Sequence, residues 1–301
     1  MLGSDRRMFQ VLAVFIFGCK WLELQHHLFV FVSTDINCAP FLNSENKEMN
    51  HYFPIKHPYW QLYMSLLAVD SLDRSDAKQL LRRLAAEVDF SPVDRLYLEM
   101  QMCSPWFIPT KCHYLFFERM REKYCYSVMH PDTIDLLKQL SPIVELGAGN
   151  GYNAWLLAQA GVDVVALEAY PPHEGKNWFF GTNIFGLPKK NFISWTDVIK
   201  GTSIDLLQYP RHNLFISWPP LNEMAFDALR FYRGNIVILI ANRANCGSPR
   251  FYRKLEKDWH LVYAKETGGW SGFQNERLEI YCRDKHLFLS ERANKFELIN
   301  P

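Results

Sequence analysis

Glu145, Gly147, Gly149 and Gly151, followed by Glu168, are the residues of this chain whose types and spacing point to chemistry. Alternating glycines between two apolar runs let the backbone turn sharply and let a ligand approach the main chain. A side chain at Gly149 would fill the space such a ligand needs. The helix-patterned segment from Tyr152 to Ala160 starts at this turn, so its unpaired N–H groups face the same space. Glu168 ends the next apolar run, Val162 to Leu167. It stands about twenty residues past Gly147, where a carboxylate can accept both hydroxyls of a ribose. Strand, glycine turn, helix, strand, acid is the layout that holds an adenosine-bearing cofactor.

The glycine spacing is G-x-G-x-G, preceded by an acid, and not the G-x-G-x-x-G of dinucleotide-binding turns. It resembles motif I of the class I S-adenosylmethionine (SAM)-dependent methyltransferases. The plain alternatives are a glycine-rich turn without a ligand and, against the spacing, a nicotinamide site. The resemblance implies SAM as cofactor, with Glu145 fixing the loop and the methionine end and Glu168 holding the ribose. It implies an acid after the third strand beside the adenine, for which Asp197 is the match. Tyr152, directly after the glycines, is a further candidate for contacting the cofactor. The fold implied is α/β, a Rossmann-like sheet of seven strands with the last antiparallel.

The acceptor end is read from Ser217-Trp218-Pro219-Pro220, where the fourth strand stops. Methyltransferases that act on amino groups carry Asp, Asn or Ser before two prolines and an aromatic after them. Here Trp218 and Leu221 take those places, and an indole N–H donates but does not accept. That departure, with a net charge of +1, weighs against a nucleic-acid acceptor. It favours a small molecule or a protein side chain, with Ser217, Trp218 and Pro219 facing the substrate. Tyr126, Trp218 and Trp270 are candidates for an aromatic wall, and Asp197, His212 and Glu223 for a base. The Trp-Pro-Pro segment, with Tyr124-Cys125-Tyr126, resembles an uncharacterised methyltransferase-like group of bacteria and fungi. That resemblance spans Tyr124 to Cys282 and adds no substrate. A non-catalytic SAM-binding module remains the third reading.

Several elements must position these residues. Trp60, Leu62, Tyr63, Leu66 and Leu67 recur at helical spacing. Ser75 or Asp76 is placed to cap a second helix, and Ser91-Pro92 opens a third. Further helices are expected over Tyr114–Tyr124 and Pro131–Leu140, so residues 49–140 read as a helical region ahead of a SAM-binding domain at 141–301. Within that domain a loop with one short helix fills 171–188. Strands are expected at Phe192–Ser194, Asn213–Ser217, Ile236–Ala241, Leu261–Ala264 and Leu278–Cys282, the last two joined by Gly268-Gly269-Trp270. Helices are expected at Asn222–Tyr232 and Phe251–Asp258.

Apolar residues make up 49 % of the chain, enough for a sizeable core. The seven cysteines are scattered without a C-x-x-C pair, so they read as reduced, with neither disulfide framework nor metal site. Residues 1–48 are an extension of open status. Arg6-Arg7 ahead of the run Met8–Gly18 resembles a signal peptide, yet the run is too short to span a bilayer. A cytosolic cofactor points to the cytoplasm, with export left open.

Overall fold

The structure is a computed structural model that describes residues 59–174, 176, 193–267, 269 and 275–284. Its centre is a seven-stranded sheet in the order β3-β2-β1-β4-β5-β7-β6. The strands are β1 (Ile143–Leu146), β2 (Val164–Glu168), β3 (Ile199–Lys200), β4 (Asn213–Ser217), β5 (Ile236–Ala241), β6 (His260–Glu266) and β7 (Arg277–Cys282). β1 to β5 pair in parallel, and β7 runs antiparallel to both of its neighbours, β5 and β6. The expected sheet is therefore the observed one, including its single reversed strand.

β5 is buried at every position because both of its faces are covered, as an uninterrupted apolar run requires. Its residues alternate between two cores. Ile236, Ile238 and Ile240 meet the first core, and Val237, Leu239 and Ala241 the second. The second core is closed by α7 (Met224–Phe231) and α8 (Pro249–Asp258). The first is closed by α6 (Tyr152–Gln159) and by the N-terminal helices α1 (Trp60–Ala68), α2 (Arg74–Glu87), α3 (Pro92–Cys103), α4 (Thr110–Lys123) and α5 (Pro131–Lys138). The helical region thus shares its core with one face of the sheet.

Local sequence explains most helix starts. Ser91 caps α3 in a reciprocal box with Asp94, with Pro92 in the first turn. Ser248 caps α8 ahead of Pro249, so that helix begins two residues before the expected Phe251. The cap of α2 is neither Ser75 nor Asp76. It is Asp73, whose carboxylate accepts the N–H groups of both, at 2.8 and 2.9 Å. An acid two residues further back satisfies two free donors at once, and Ser75 and Asp76 then lie inside the first turn. α4 starts at Thr110, one turn before the expected Tyr114.

The third strand is the main correction. Ile193 and Ser194 are not in a strand. β3 is instead the two-residue Ile199–Lys200, paired to Leu167 and Glu168 at the end of β2. Asp197 consequently precedes β3 and does not follow it. The expected boundary at residue 48, the apolar N-terminal run, most of the 171–188 loop and Trp270 lie outside the described residues. Among the described residues no helix is long and apolar enough to cross a membrane, and no cluster of His, Cys, Asp or Glu has metal-site geometry. Among the described residues no disulfide joins the cysteines.

Candidate functional site

At the carboxyl edge of β1 the chain makes the expected glycine turn. Gly147, Gly149 and Gly151 all have positive φ, between 60° and 80°, a region other residues enter at a cost. The turn is moored to the neighbouring strand, because the N–H groups of Gly147 and Ala148 both donate to the Leu167 carbonyl, at 2.9 and 3.0 Å. Close packing adds a second constraint at Gly151. A Cβ there would lie 2.8 Å from Val198 Cγ2 and 2.9 Å from Thr196 Cγ2.

The two acids flank this turn as expected, in different states. Glu145, on β1, is 1 % exposed. One of its oxygens accepts Asn153 Nδ2 at 3.1 Å; the other, Oε2, is buried without a partner. Burial is the main reason its carboxyl is pushed up to about 8, against bonds from Asn153 and the Ala154 N–H and with Glu168 nearby adding to it. Glu168 ends β2, half-buried. Its Oε2 accepts the Gly149 N–H at 3.0 Å, and its Oε1 accepts that of Tyr170 at 3.2 Å. Burial raises this carboxyl too, while the backbone bonds oppose the shift.

Asn150, which the sequence reading passed over, clamps the turn. Its Nδ2 donates to the Lys123 carbonyl at the end of α4 at 3.1 Å, and its Oδ1 accepts the Tyr152 N–H at 3.1 Å. Its own carbonyl accepts the Trp195 N–H at 3.0 Å, and Trp195 Nε1 donates to the same Lys123 carbonyl. The signal available was an amide side chain between two glycines, a residue type suited to bonding the backbone around it. Tyr152 is fully buried, its ring 5.0 Å from those of both Tyr124 and Trp195. Its side chain therefore fills the core behind the turn. Asp197 is exposed on the segment Trp195–Val198 that packs against Gly151. The residues that do follow β3 are Gly201 and Thr202, and Thr202 forms a capping box with Asp205.

The end of β4 lies beside that of β1, one strand nearer β7. Ser217 Oγ donates to the buried Ser127 Oγ at 2.9 Å. Trp218 has φ 50°, an unusual conformation for a large side chain. It is held from two sides, by its N–H on the Ile240 carbonyl and by its indole Nε1 on Glu276. Tyr126 lies beside it with ring centroids 5.9 Å apart, so two members of the expected aromatic wall do meet. Pro219 is buried, and its carbonyl accepts the Gly247 N–H at 2.9 Å.

Glu276, unanticipated from sequence, is fully buried. It also accepts Thr267 Oγ1 at 2.7 Å and the Val128 N–H at 3.4 Å. Burial pushes its carboxyl up to about 7 against these bonds. His212 falls outside this region. It precedes β4 at the opposite edge of the sheet from the glycine turn, so it is not at the mouth as expected. Glu223 is at the mouth, ion-paired with Arg250 at 3.0 Å.

No family model matches the chain, and no curated protein matches it. Solved structures do. One, described as concerning conversion of a disulfide bond into a thioacetal group during echinomycin biosynthesis, matches at 13 % identity and a TM-score of 0.31, over 54 % of this chain and 88 % of that one. A fibrillarin/Nop5p complex matches at 12 % identity and a TM-score of 0.30, over 50 % of this chain and 78 % of its own.

Proposed function

We propose that this protein is a SAM-dependent methyltransferase whose acceptor is presented at the end of β4. The observation that carries the reading is the unpartnered, buried Oε2 of Glu145 beside a three-glycine turn. A buried acceptor left open is costly, and a ligand carrying a donor close to a positive charge would complete it. The donor set fits SAM. Glu145 serves the methionine end, Gly147, Gly149 and Gly151 admit the ligand to the backbone, and Glu168 turns from the Gly149 N–H toward the ribose. The enclosed ring of Tyr152 leaves its place to the main chain of the turn. With β3 at Ile199–Lys200, Thr202 rather than Asp197 would border the adenine.

SAM, when bound, supplies a methyl group on a sulfonium, already activated for in-line displacement. What the chain contributes is alignment. Trp218 and Tyr126 offer aromatic faces that attract a cation and exclude water. Ser217, Trp218 and Pro219 border the acceptor, and the Ser217–Ser127 bond ties that border to the segment ahead of α5. Titration calorimetry with S-adenosylhomocysteine tests the reading. Binding is expected, weakened in Glu168→Ala. Absence of heat with that ligand, together with binding of a nicotinamide dinucleotide, would overturn it.

A further inference from the structure

α8 carries Arg250, Arg253, Lys254 and Lys257, spaced i, i+3, i+4 and i+7, so the four cations share one face of the helix. That face borders an open groove of about 340 Å³, lined by these four residues with Phe226 of α7 and Asp258. The Arg250 guanidinium lies over the Phe226 ring, 4.3 Å from its centroid. Two anions answer the stripe: Glu223 pairs with Arg250 and Asp258 with Lys254. Both are surface pairs that a competing anion exchanges readily. Arg253 and Lys257 are exposed and make no ion pair among the described residues.

The stripe is continuous with the acceptor end of β4. Glu223 stands at the start of α7, directly after the Trp218–Asn222 turn. The Gly247 N–H, just before the cap of α8, donates to the Pro219 carbonyl. A linear polyanion lying in the groove therefore reaches the substrate-facing loop at its upper end.

We infer that this groove binds a single-stranded nucleic acid through its phosphodiester backbone. The four cations cover about 10 Å of helix rise, about three steps of a stacked strand and so about four phosphates. A single row of charges along one helix matches the linear charge array of a phosphodiester chain. The Phe226 ring capped by a guanidinium is a stacking platform for a base, which an acidic peptide lacks. Strand binding stands independently of the cofactor. That the strand carries the methyl acceptor rests on the methyltransferase reading, which it deepens by naming the class of substrate.

The test is fluorescence anisotropy of the full chain with labelled 12-nucleotide single-stranded RNA and DNA at 50 mM salt. Polyglutamate and phosphatidylserine vesicles serve as comparison ligands. Binding of either oligonucleotide is expected, with a log–log salt slope of about −3 for four phosphate contacts. The double variant Arg253→Gln/Lys257→Gln changes exposed side chains only, so its urea midpoint should match wild type. Its affinity should fall about tenfold or more and its slope should halve. No binding at 50 mM salt, an undiminished affinity in the double variant, or binding confined to polyglutamate or vesicles would each overturn the inference. Calorimetry with S-adenosylhomocysteine separates the two readings. Cofactor binding without strand binding removes only the groove, and strand binding without cofactor binding removes only methyl transfer.

Discussion

The indole of Trp218 donates to the buried carboxylate of Glu276, 58 residues along the chain. This bond holds the residue after β4 against the hairpin of β6 and β7, and it fixes a backbone at φ 50° that a tryptophan does not adopt freely. Because Glu276 also accepts from Thr267 and Val128, it joins three segments beside the carboxyl end of β4. Trp218→Phe keeps an aromatic ring and removes the N–H, leaving one carboxylate oxygen buried and open. We predict a loss of about 1–3 kcal/mol, read from urea denaturation. An unchanged midpoint would show that the bond does not secure the turn.

The carboxyls of Glu145 and Glu276, pushed up to about 8 and about 7 from 4.5, set a pH dependence with a definite sign. Between pH 4.5 and 8 the folded chain holds protons on them that the unfolded chain has released. Their contribution is complete below pH 4.5 and is lost as pH rises through 7 and 8. His130, buried and lowered to about 4, acts in the opposite direction below its ordinary 6.5, so the difference between variants is the clean measure. The stability of wild type minus that of Glu145→Gln/Glu276→Gln, measured across pH 5 to 8.5, should decline with pH. A flat difference would mean that neither carboxyl is raised.

Asn150 joins the glycine turn to the last carbonyl of α4 and to Trp195. Asn150→Ala removes the side-chain bonds at both ends of that clamp. A destabilisation of about 1–2 kcal/mol is expected, along with weaker binding of S-adenosylhomocysteine, because the N–H groups of the turn are then less well fixed. Equal affinity in calorimetry would show that the turn holds its shape without the clamp.

How much of this was legible follows from how local each signal is. The glycine turn and its two acids lie within 24 residues, Glu145 to Glu168, and their arrangement around one turn is carried by spacing alone. β5 was readable because six apolar residues in a row leave few alternatives to burial on both faces. β3 was misplaced because two exposed residues leave no period to detect, and it is the edge of β2 that recruits them. Glu276 was invisible because its partners Val128, Trp218 and Thr267 come from separate parts of the chain. The basic stripe of α8 is plain at helical spacing, yet a whole-chain charge of +1 concealed it. Net charge sums over all faces, whereas a polyanion meets one.

Gly151 and Gly161 separate conformational strain from close approach. Both have positive φ, 80° and 84°. A Cβ on Gly161 would meet nothing within 4 Å, while one on Gly151 would press on Val198 and Thr196 at 2.8 and 2.9 Å. Gly161→Ala should therefore cost only the left-handed backbone, about 1–2 kcal/mol. Gly151→Ala adds overpacking of about 1–3 kcal/mol, so its urea midpoint should fall further. The added cost comes from the segment Thr196–Val198 that leads into β3, so the variant should also bind S-adenosylhomocysteine more weakly, whereas Gly161→Ala should bind it as wild type does. Equal destabilisation by the two substitutions would show that the 195–198 segment gives way without cost, and that the glycine at 151 is needed for its backbone alone.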